Sequence, residues 1–367
     1  MSNIQVKELV YGIFRRHMSI TICDAWYRLC LRIFHRESSC PHWMKIVDRG
    51  KKRIVLFECI DPGRGISSNS RQMMHLNKWC QKKGLQYVIY YNPEYKTIDD
   101  LSDEKNIWGK LFEQKQSIND LLNEEVNVLV VQPGFCPVMK SMRDKYEAYY
   151  DQPENPVLRD KKLLNELNRD NGCFLTPAES LRSWTEEFWT KNGLEGKKVL
   201  GVMMREDLSL FNRLEKDKSY NNEYFTNGSH PCIPNPQECC SIAKEKYNEW
   251  GCEAVIVATM FDDTIPLFEE AFGRENVFHI NRKRYIFERQ IENGFEFLEK
   301  EDMTQNEIDY MKEMILLSKC SSLIGAACGG QWLIGCIKSD EYEHLEYFPY
   351  IYPYGYNNVI KWEEVNK

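Results

Sequence analysis

The sequence contains no apolar run that approaches the roughly 20 residues needed to cross a bilayer as a helix. Its first residues also lack the short apolar core and small-residue cleavage site of a secretory signal peptide. From these two absences we expect a protein that stays in the cytoplasm. Low-complexity sequence is lacking as well: hydrophobic residues make up 43% of the 367 and charged residues 28%, which is typical of a folded chain of about two domains.

Several catalytic motifs are absent. The patterns G-x-x-x-x-G-K-[ST], H-E-x-x-H and G-x-S-x-G do not occur, so P-loop NTPases, zincins and ordinary α/β-hydrolases are not leading candidates. The loop Gly63-Arg64-Gly65 resembles the start of a dinucleotide fingerprint. Ser68 occupies the position of its third glycine, however, and this disfavours a nicotinamide enzyme.

Metal and disulfide signatures are weak. The 14 cysteines form no C-x-x-C pair, and in a chain without a signal peptide we expect reduced thiols, most of them buried. His35, Cys40 and His42 lie close together but lack a fourth ligand. Neighbouring side chains on an extended chain point in opposite directions, so Asp262 and Asp263 do not predict a chelate. A cap for the following helix is the simpler role for one of them. We therefore predict no metal site and no cofactor.

The charge is distributed unevenly. Residues 1–53 carry 11 lysines and arginines against 4 acidic residues, whereas the remaining 314 residues carry 37 against 51. The net charge of −7 argues against nucleic acid as a partner. The basic segment predicts two amphipathic helices, one over Val6–Phe14 and one over Trp26–Phe34. These helices fit either an anionic membrane surface or packing on the rest of the chain, and both alternatives stay open.

Strands alternate with helices along most of the chain, which predicts parallel sheets with helices on both faces. We expect two Rossmann-like domains with a boundary near 170–195. Thr176 as N-cap, Pro177 at the first position and Glu179 at the third predict a helix over 177–192. The predicted strands are 53–60, 86–91 and 126–132 in the first domain, and 197–204, 252–259, 277–280 and 321–326 in the second. The other predicted helices are 71–83, 138–150, 161–169, 236–250, 264–273, 306–320 and 328–337.

The predicted organisation has four parts. A basic helical segment covers 1–50, and a first Rossmann-like domain covers 51–175. A second Rossmann-like domain covers 195–340, and an aromatic-rich tail covers 341–367.

Three strands of the second domain end in residues suited to binding an anion. Ligands of open parallel sheets bind at the carboxyl ends of the strands. An arginine offers a fork of donors to phosphate oxygens, and a glycine-rich helix start offers free backbone amides. Together these features predict a diphosphate site, although each alone also fits an ion pair, a capping threonine or a packed turn. The candidates are Arg205, Glu206 and Asp207 after the first strand, Thr259 after the second, and Cys328, Gly329 and Gly330 after the last.

Residues 198–337 resemble the GDP-fucose-dependent fucosyltransferase superfamily. The likeness lies in LGVMMRED (200–207), GSHPCIPNP (228–236), EAVIVATMFDD (253–263) and MILLSKCSSLIGAACGG (314–330). The first-domain loop GRGISSN (63–69) is similar to the family's glycine-rich loop. The chain departs from the family pattern at three places. Leu208 stands where the family carries an acid, and Met260-Phe261 is inserted before the acidic pair. Ala326, Ala327 and Cys328 replace serines.

The resemblance implies roles for individual residues. Arg205 would contact the nucleotide diphosphate and His230 would lie near the donor pocket. Thr259, Asp262 and Asp263 would line the nucleoside. The phosphates of the donor would be bound by Cys328, Gly329 and Gly330. The acceptor side or the cleft would be lined by Gly63, Arg64, Gly65 and Asn69.

The resemblance also implies a GT-B-like α/β fold, with two Rossmann-like domains facing across a cleft. The implied activity is an inverting, metal-independent transfer of fucose or a related sugar from a GDP-sugar, as co-substrate, to a glycan or lipid-linked saccharide. Arg205, Glu206 and Asp207 are the catalytic candidates, and Glu206, Asp207 and His230 compete as general base. Transfer from a UDP-sugar, pyruvyl transfer and non-catalytic nucleotide-sugar binding remain as alternatives.

Overall fold

The computed structural model describes only part of the chain. The described residues are 44–47, 52–58, 66–67, 70, 73, 77, 86–92, 101–114, 116–123, 126–131, 175–204, 235–282, 284, 303–326, 328–338 and 341–348. They fall into two compact units, one ending at residue 178 and one beginning at residue 179. The predicted amphipathic helices near the N-terminus, the predicted helices 138–150 and 161–169, and the tail beyond 348 lie outside the described residues.

The first unit contains a four-stranded sheet in the order β1-β4-β2-β3. The strands are β1 (Met44–Val47), β2 (Lys52–Glu58), β3 (Gln86–Tyr90) and β4 (Val126–Val131). β2 runs parallel to both β3 and β4, as predicted from the alternation of strands and helices. β1 was not predicted, because it lies inside the segment 1–50 that we expected to be helical. Its Ile46 and Val47 favour extended backbone, and it pairs antiparallel with β4.

The helix after β2 begins inside the segment 61–70, which the sequence predicts to be a loop. Every residue described between β2 and β3 is helical and buried, namely Ile66, Ser67, Ser70, Met73 and Asn77. Four of these, at 66, 70, 73 and 77, follow the helical spacing of one buried face. The loop prediction was therefore too long, since the glycines and serines outweighed a periodic signal that was already present.

Two short helices of the first unit follow β3: α1 (Ile107–Leu111) and α2 (Ile118–Asn123). Asn106 is the N-cap of α1, and its side chain accepts the amide of Trp108. The same side chain donates to the carbonyl of Ile89 at 2.9 Å and accepts the amide of Tyr91 at 3.0 Å. One buried amide group therefore fixes α1 to the end of β3.

The predicted helix 177–192 is present as α3 (Glu179–Lys191), but it begins later than its start signals indicate. Thr176 and Pro177 are not the N-cap and first residue. Pro177 forms an antiparallel bridge with Phe112, and the carbonyl of Thr176 accepts the amide of Glu113 at 2.8 Å. Pairing with this neighbouring segment keeps both residues extended, and tertiary contacts override the local start signal.

The second unit contains a five-stranded parallel sheet in the order β7-β6-β5-β8-β9. The strands are β5 (Val199–Met203), β6 (Ala254–Ala258), β7 (Val277–Phe278), β8 (Ser322–Gly325) and β9 (His344–Tyr347). The first four were predicted. β9 lies in the segment predicted as a tail, and its sequence, HLEY, is too polar and too short to announce a strand. It forms one edge of the sheet and buries Tyr347.

All four predicted helices of the second unit are present. They are α4 (Pro236–Glu249), α5 (Thr264–Phe272), α6 (Met303–Lys319) and α7 (Gly329–Ile337). Asn235 caps α4 by accepting the amide of Glu238 at 2.9 Å. None of the helices in the described part of the chain is both long and apolar enough to cross a bilayer.

The core of the second unit forms where α4 and α5 pack against β5 and β6. Cys239 and Cys240, on α4, and Cys252 belong to it, and Cys320 is also buried. The six cysteines of the described part form no disulfide with one another, and four of them are buried. Burial raises the pKa of Cys240 to about 11, so this thiol stays protonated at neutral pH.

Gly201, at the centre of β5, allows α6 to pack closely over the sheet. A Cβ atom at this position would lie 3.0 Å from both Leu317 Cδ2 and Leu323 Cδ1, and 3.3 Å from Cys320 Sγ. All three neighbours are fully buried. A close-packed interior has little room to let them move apart.

We expect Gly201→Ala to lower the free energy of unfolding by about 1–3 kcal/mol, because the added methyl group overpacks this contact. Urea-induced unfolding measures the change. Gly109→Ala is the matched control: its Cβ would meet only Asn106 Nδ2, at 3.7 Å, so it should be neutral or slightly stabilising within α1. Equal losses in the two variants would contradict the packing explanation.

Candidate functional site

The carboxyl ends of β5, β6 and β8 meet at one edge of the second sheet. The amide of Met204 donates to the carbonyl of Ala258, and the amide of Ala326 donates to the carbonyl of Met203, both at 2.9 Å. The strand order reverses between β5 and β8, because β6 and β7 follow on one side and β9 on the other. Ligands of open α/β sheets bind at such a switch point. This edge is therefore the candidate site.

Two glycines bring α7 against the end of β5. A Cβ atom on Gly325 would lie 3.1 Å from Met203 Cβ, so β8 approaches β5 closely at their ends. A Cβ atom on Gly330 would lie 2.9 Å from Tyr310 Oη, on α6, and 3.1 Å from Met203 Sδ. Gly330 thus lets the ends of the Tyr310 and Met203 side chains approach the backbone of α7, and this packing places the first turn of α7 at the switch point.

The first turn of α7 has the properties of an anion site. Cys328 is its N-cap in extended conformation and makes no side-chain capping bond, and no acidic residue stands in the first turn. The first backbone amides of a helix have no acceptor within the helix, and the helix dipole favours negative charge there. Gly329 and Gly330 supply the first two of these amides. Cys328, Gly329 and Gly330 thus stand at the start of α7, and their role in binding an anion stays a prediction.

Gln331 adds a buried donor without a partner to the same turn. Its backbone amide donates to the carbonyl of Cys328 at 3.1 Å, but its side-chain Nε2 has no hydrogen-bond partner. The residue is only 4% exposed. An unsatisfied buried donor costs about 1–3 kcal/mol, so a native structure that keeps one calls for an explanation. An acceptor supplied by a ligand is such an explanation. Sequence reasoning missed this residue, because a glutamine after two glycines carries no recognisable pattern.

The loop after β6, residues 259–263, contains three predicted site residues. Thr259 is buried, and its Oγ1 accepts the amide of Phe261 at 3.2 Å, which shapes the turn. The Asp262 side chain is 56% exposed and lies 3.7 Å from Arg284 Nη1. A ligand can therefore reach the carboxylate of Asp262. The Thr259 hydroxyl, in contrast, stabilises the turn of its own loop.

Asp263 does not cap α5, although the sequence suggested a cap for one of the two aspartates. It stands at the N-cap position without a side-chain capping bond, since its own backbone is helical, with φ −72° and ψ −12°. The backbone carbonyl of Asp262 accepts the amide of Ile265 at 3.3 Å instead. Among the residues that the structure describes, no three side chains of the metal-binding types cluster together.

A buried ion-pair cluster lies beside this loop, and sequence reasoning missed it. Arg282 Nη1 donates to Glu313 Oε2 at 2.8 Å, and Arg284 Nη2 donates to Glu313 Oε1 at 3.4 Å. Burial lowers the pKa of Arg284, and the carboxylates of Glu313 and Asp262 oppose that effect. A signal existed, because Arg282 and Arg284 stand two and four residues after the apolar segment VFHI (277–280), much as Arg205 follows the strand β5.

The remaining predicted site residues lie outside the described part of the chain. They are Arg205, Glu206, Asp207 and His230 in the second unit, and Gly63, Arg64, Gly65 and Asn69 in the first. Arg205 follows Met204 directly in the sequence, and Met204 is bonded to the end of β6. The predicted roles of these eight residues stay predictions.

The contact between α7 and α6 yields a testable expectation. Gly330→Ala should lower the free energy of unfolding by about 1 kcal/mol or less, because the new methyl group meets Tyr310 Oη, the end of a side chain that can shift. In the Tyr310→Phe background the loss should be smaller, since the nearest atom is gone. Urea unfolding of the two single variants and the double variant measures this coupling. Strict additivity would contradict the close contact.

No family model and no curated protein matches the chain. Solved structures with low identity do. The crystal structure of POFUT1 in complex with GDP is 12% identical, covers 82% of this chain and 99% of its own, and has a TM-score of 0.42. NodZ α-1,6-fucosyltransferase co-crystallized with GDP is 14% identical, with 77% and 92% covered and a TM-score of 0.42. Fucosyltransferase NodZ from Bradyrhizobium is 12% identical, with the same coverage and TM-score. These values are too low to transfer a substrate or a residue role. The chain itself is a mixed α/β protein with parallel strands in both sheets.

Proposed function

We propose that this protein is a glycosyltransferase that transfers fucose or a related sugar from a GDP-sugar to a glycan or lipid-linked saccharide. The observation that carries the proposal is the first turn of α7 at the switch point of the sheet. It combines free backbone amides, no acidic residue and the unpaired buried Nε2 of Gln331. This arrangement suits the diphosphate of a nucleotide-sugar.

The loop after β6 supports the nucleoside part of the proposal. The exposed carboxylate of Asp262 is an acceptor at the same edge of the sheet. The Watson–Crick edge of guanine offers N–H donors that a carboxylate accepts. Uracil and cytosine offer a different pattern, so an acid at this position favours guanine. Thr259 and Asp263 belong to the same loop and complete the proposed nucleoside side.

The proposed chemistry is a single displacement. The oxygen of an acceptor hydroxyl forms a bond to the anomeric carbon while the bond from that carbon to the β-phosphate oxygen breaks. The bonding electrons leave with GDP, and the configuration at the anomeric carbon inverts. The acceptor proton goes to a general base, for which Glu206, Asp207 and His230 compete.

Charge grows on the departing β-phosphate in the transition state. The amides of Gly329 and Gly330 and the guanidinium of Arg205 would stabilise it as preorganised donors. These groups supply the positive charge that a divalent metal supplies in other sites, and we therefore propose a metal-independent reaction. The basic N-terminal segment would place the protein at the inner face of a membrane, where lipid-linked acceptors are found.

Thermal unfolding with added nucleotides tests the proposal. We expect GDP and GDP-fucose, but not UDP or CMP, to stabilise the protein, and EDTA to leave the shift unchanged. A ligand at 100 times its dissociation constant adds about 2.7 kcal/mol, so the shift is measurable. Arg205→Ala should abolish it. Arg274→Ala is the matched control, because Arg274 is 86% exposed and lies at 3.7 Å from Glu269 on the surface.

Other outcomes would contradict the proposal. A UDP-selective shift would favour a transferase that uses a different donor. A shift that requires a divalent metal would overturn the metal-independent mechanism. Binding of GDP-fucose without release of GDP across a broad acceptor panel would favour a non-catalytic binding protein.

A further inference from the structure

Arg284 joins two loops at the carboxyl edge of the second sheet. Its Nε donates to the carbonyl of Thr259 at 3.2 Å, and its Nη2 donates to the carbonyl of Ile280 at 2.8 Å. Its Nη1 lies 3.7 Å from Asp262 Oδ1. The planar guanidinium therefore fixes the loop after β6 relative to the segment after β7, at both a backbone and a side-chain position.

Glu313 on α6 holds that guanidinium in place. Its two carboxylate oxygens are occupied by Arg284 and Arg282, and Arg282 Nη2 also donates to Asn306 Oδ1 at 3.0 Å. Asn306 and Glu313 are seven residues apart, so they lie on one face of α6. The side chains of Glu313 and Arg282 are 5% and 7% exposed. The orientation of Arg284 is thus set by a buried network rather than by solvent.

The burial of Arg284 favours a positioning role over direct contact with a ligand. Its side chain is only 2% exposed, whereas that of its partner Asp262 is 56% exposed. Buried ion pairs add little net stability compared with apolar side chains of similar size. A ligand at this edge would meet Asp262, and Arg284 would act through the loop.

We propose that Arg284 is a positioning residue that holds the loop 259–263 in the shape that recognises the base of the donor nucleotide. The inference rests on the proposed function, since it assumes a guanine nucleotide at this edge. Asp262 is the acceptor for the guanine N–H groups, and Arg284 orients its carboxylate. Glu313 in turn holds Arg284 in place, together with Arg282. The same helix, α6, packs against the first turn of α7 through Tyr310. It therefore supports both the loop 259–263 and the turn proposed to bind the diphosphate.

Discrimination between GDP and inosine diphosphate tests the inference, because the two differ only by the 2-amino group of the base. Isothermal titration gives both dissociation constants. For the parent we expect GDP to bind about tenfold or more tightly, since a hydrogen bond to a charged group is lost with inosine. Arg284→Lys keeps the charge but cannot make the same set of bonds. Its preference for GDP should fall to about threefold or less.

The ratio of the two constants separates positioning from general damage. Loss of fold or of diphosphate binding weakens both ligands together and leaves the ratio unchanged. Arg274→Lys, at an exposed surface arginine, is the control and should keep the parent ratio. If Arg284→Lys does not fold, Asp262→Asn removes the negative charge from the same contact, on its exposed side, and should also lose the preference.

The failures of the two proposals are distinguishable. A parent that binds no guanine nucleotide overturns both. A parent that binds GDP but does not distinguish it from inosine diphosphate overturns the inference alone. So does a folded Arg284→Lys variant, or an Asp262→Asn variant, that retains the full preference.

Discussion

The close approach of α7 to the end of β5 is the constraint on which the candidate site depends. A Cβ atom on Gly330 would push aside the ends of the Tyr310 and Met203 side chains, and one on Gly325 would crowd the Cβ atom and carbonyl of Met203. These contacts set the first turn of a helix at the point where the strand order reverses. The position of the helix dipole, of the free amides and of the Gln331 side chain all follow from that contact.

Helix α6 supports both halves of the site. Tyr310 borders the first turn of α7, and Glu313, one turn further along, holds the arginines beside the loop after β6. α6 also packs over β5 where Gly201 leaves space for Leu317 and Cys320. The site is thus carried by regular elements of the core, and its exposed groups, such as Asp262, are short extensions of them. Rigid support of this kind suits a reaction that depends on preorganised donors.

The sequence predicted regular elements well and contacts poorly. Strands buried on both faces, such as β5 and β6, are recognisable as apolar runs, and α7 was predicted over 328–337 as the helix that follows the last of these runs. The start of α3 was wrong because Pro177 pairs with Phe112, a contact between residues 65 positions apart that no local pattern records. The sequence predicted a site at the carboxyl ends of the strands, whereas the switch point became visible only with the strand order. The buried partners Arg284 and Glu313 were missed, because charged residues are expected to be exposed and only the fold shows which of them are covered.

The most direct test of the account is the substitution Gln331→Leu, measured for unfolding temperature without ligand and for GDP affinity. We expect opposite effects on the two quantities. Removing an unpaired buried donor should leave the ligand-free protein equally or more stable, whereas GDP should bind about tenfold more weakly, because it loses a hydrogen bond to a charged phosphate oxygen. Unchanged GDP affinity would contradict a diphosphate at the first turn of α7.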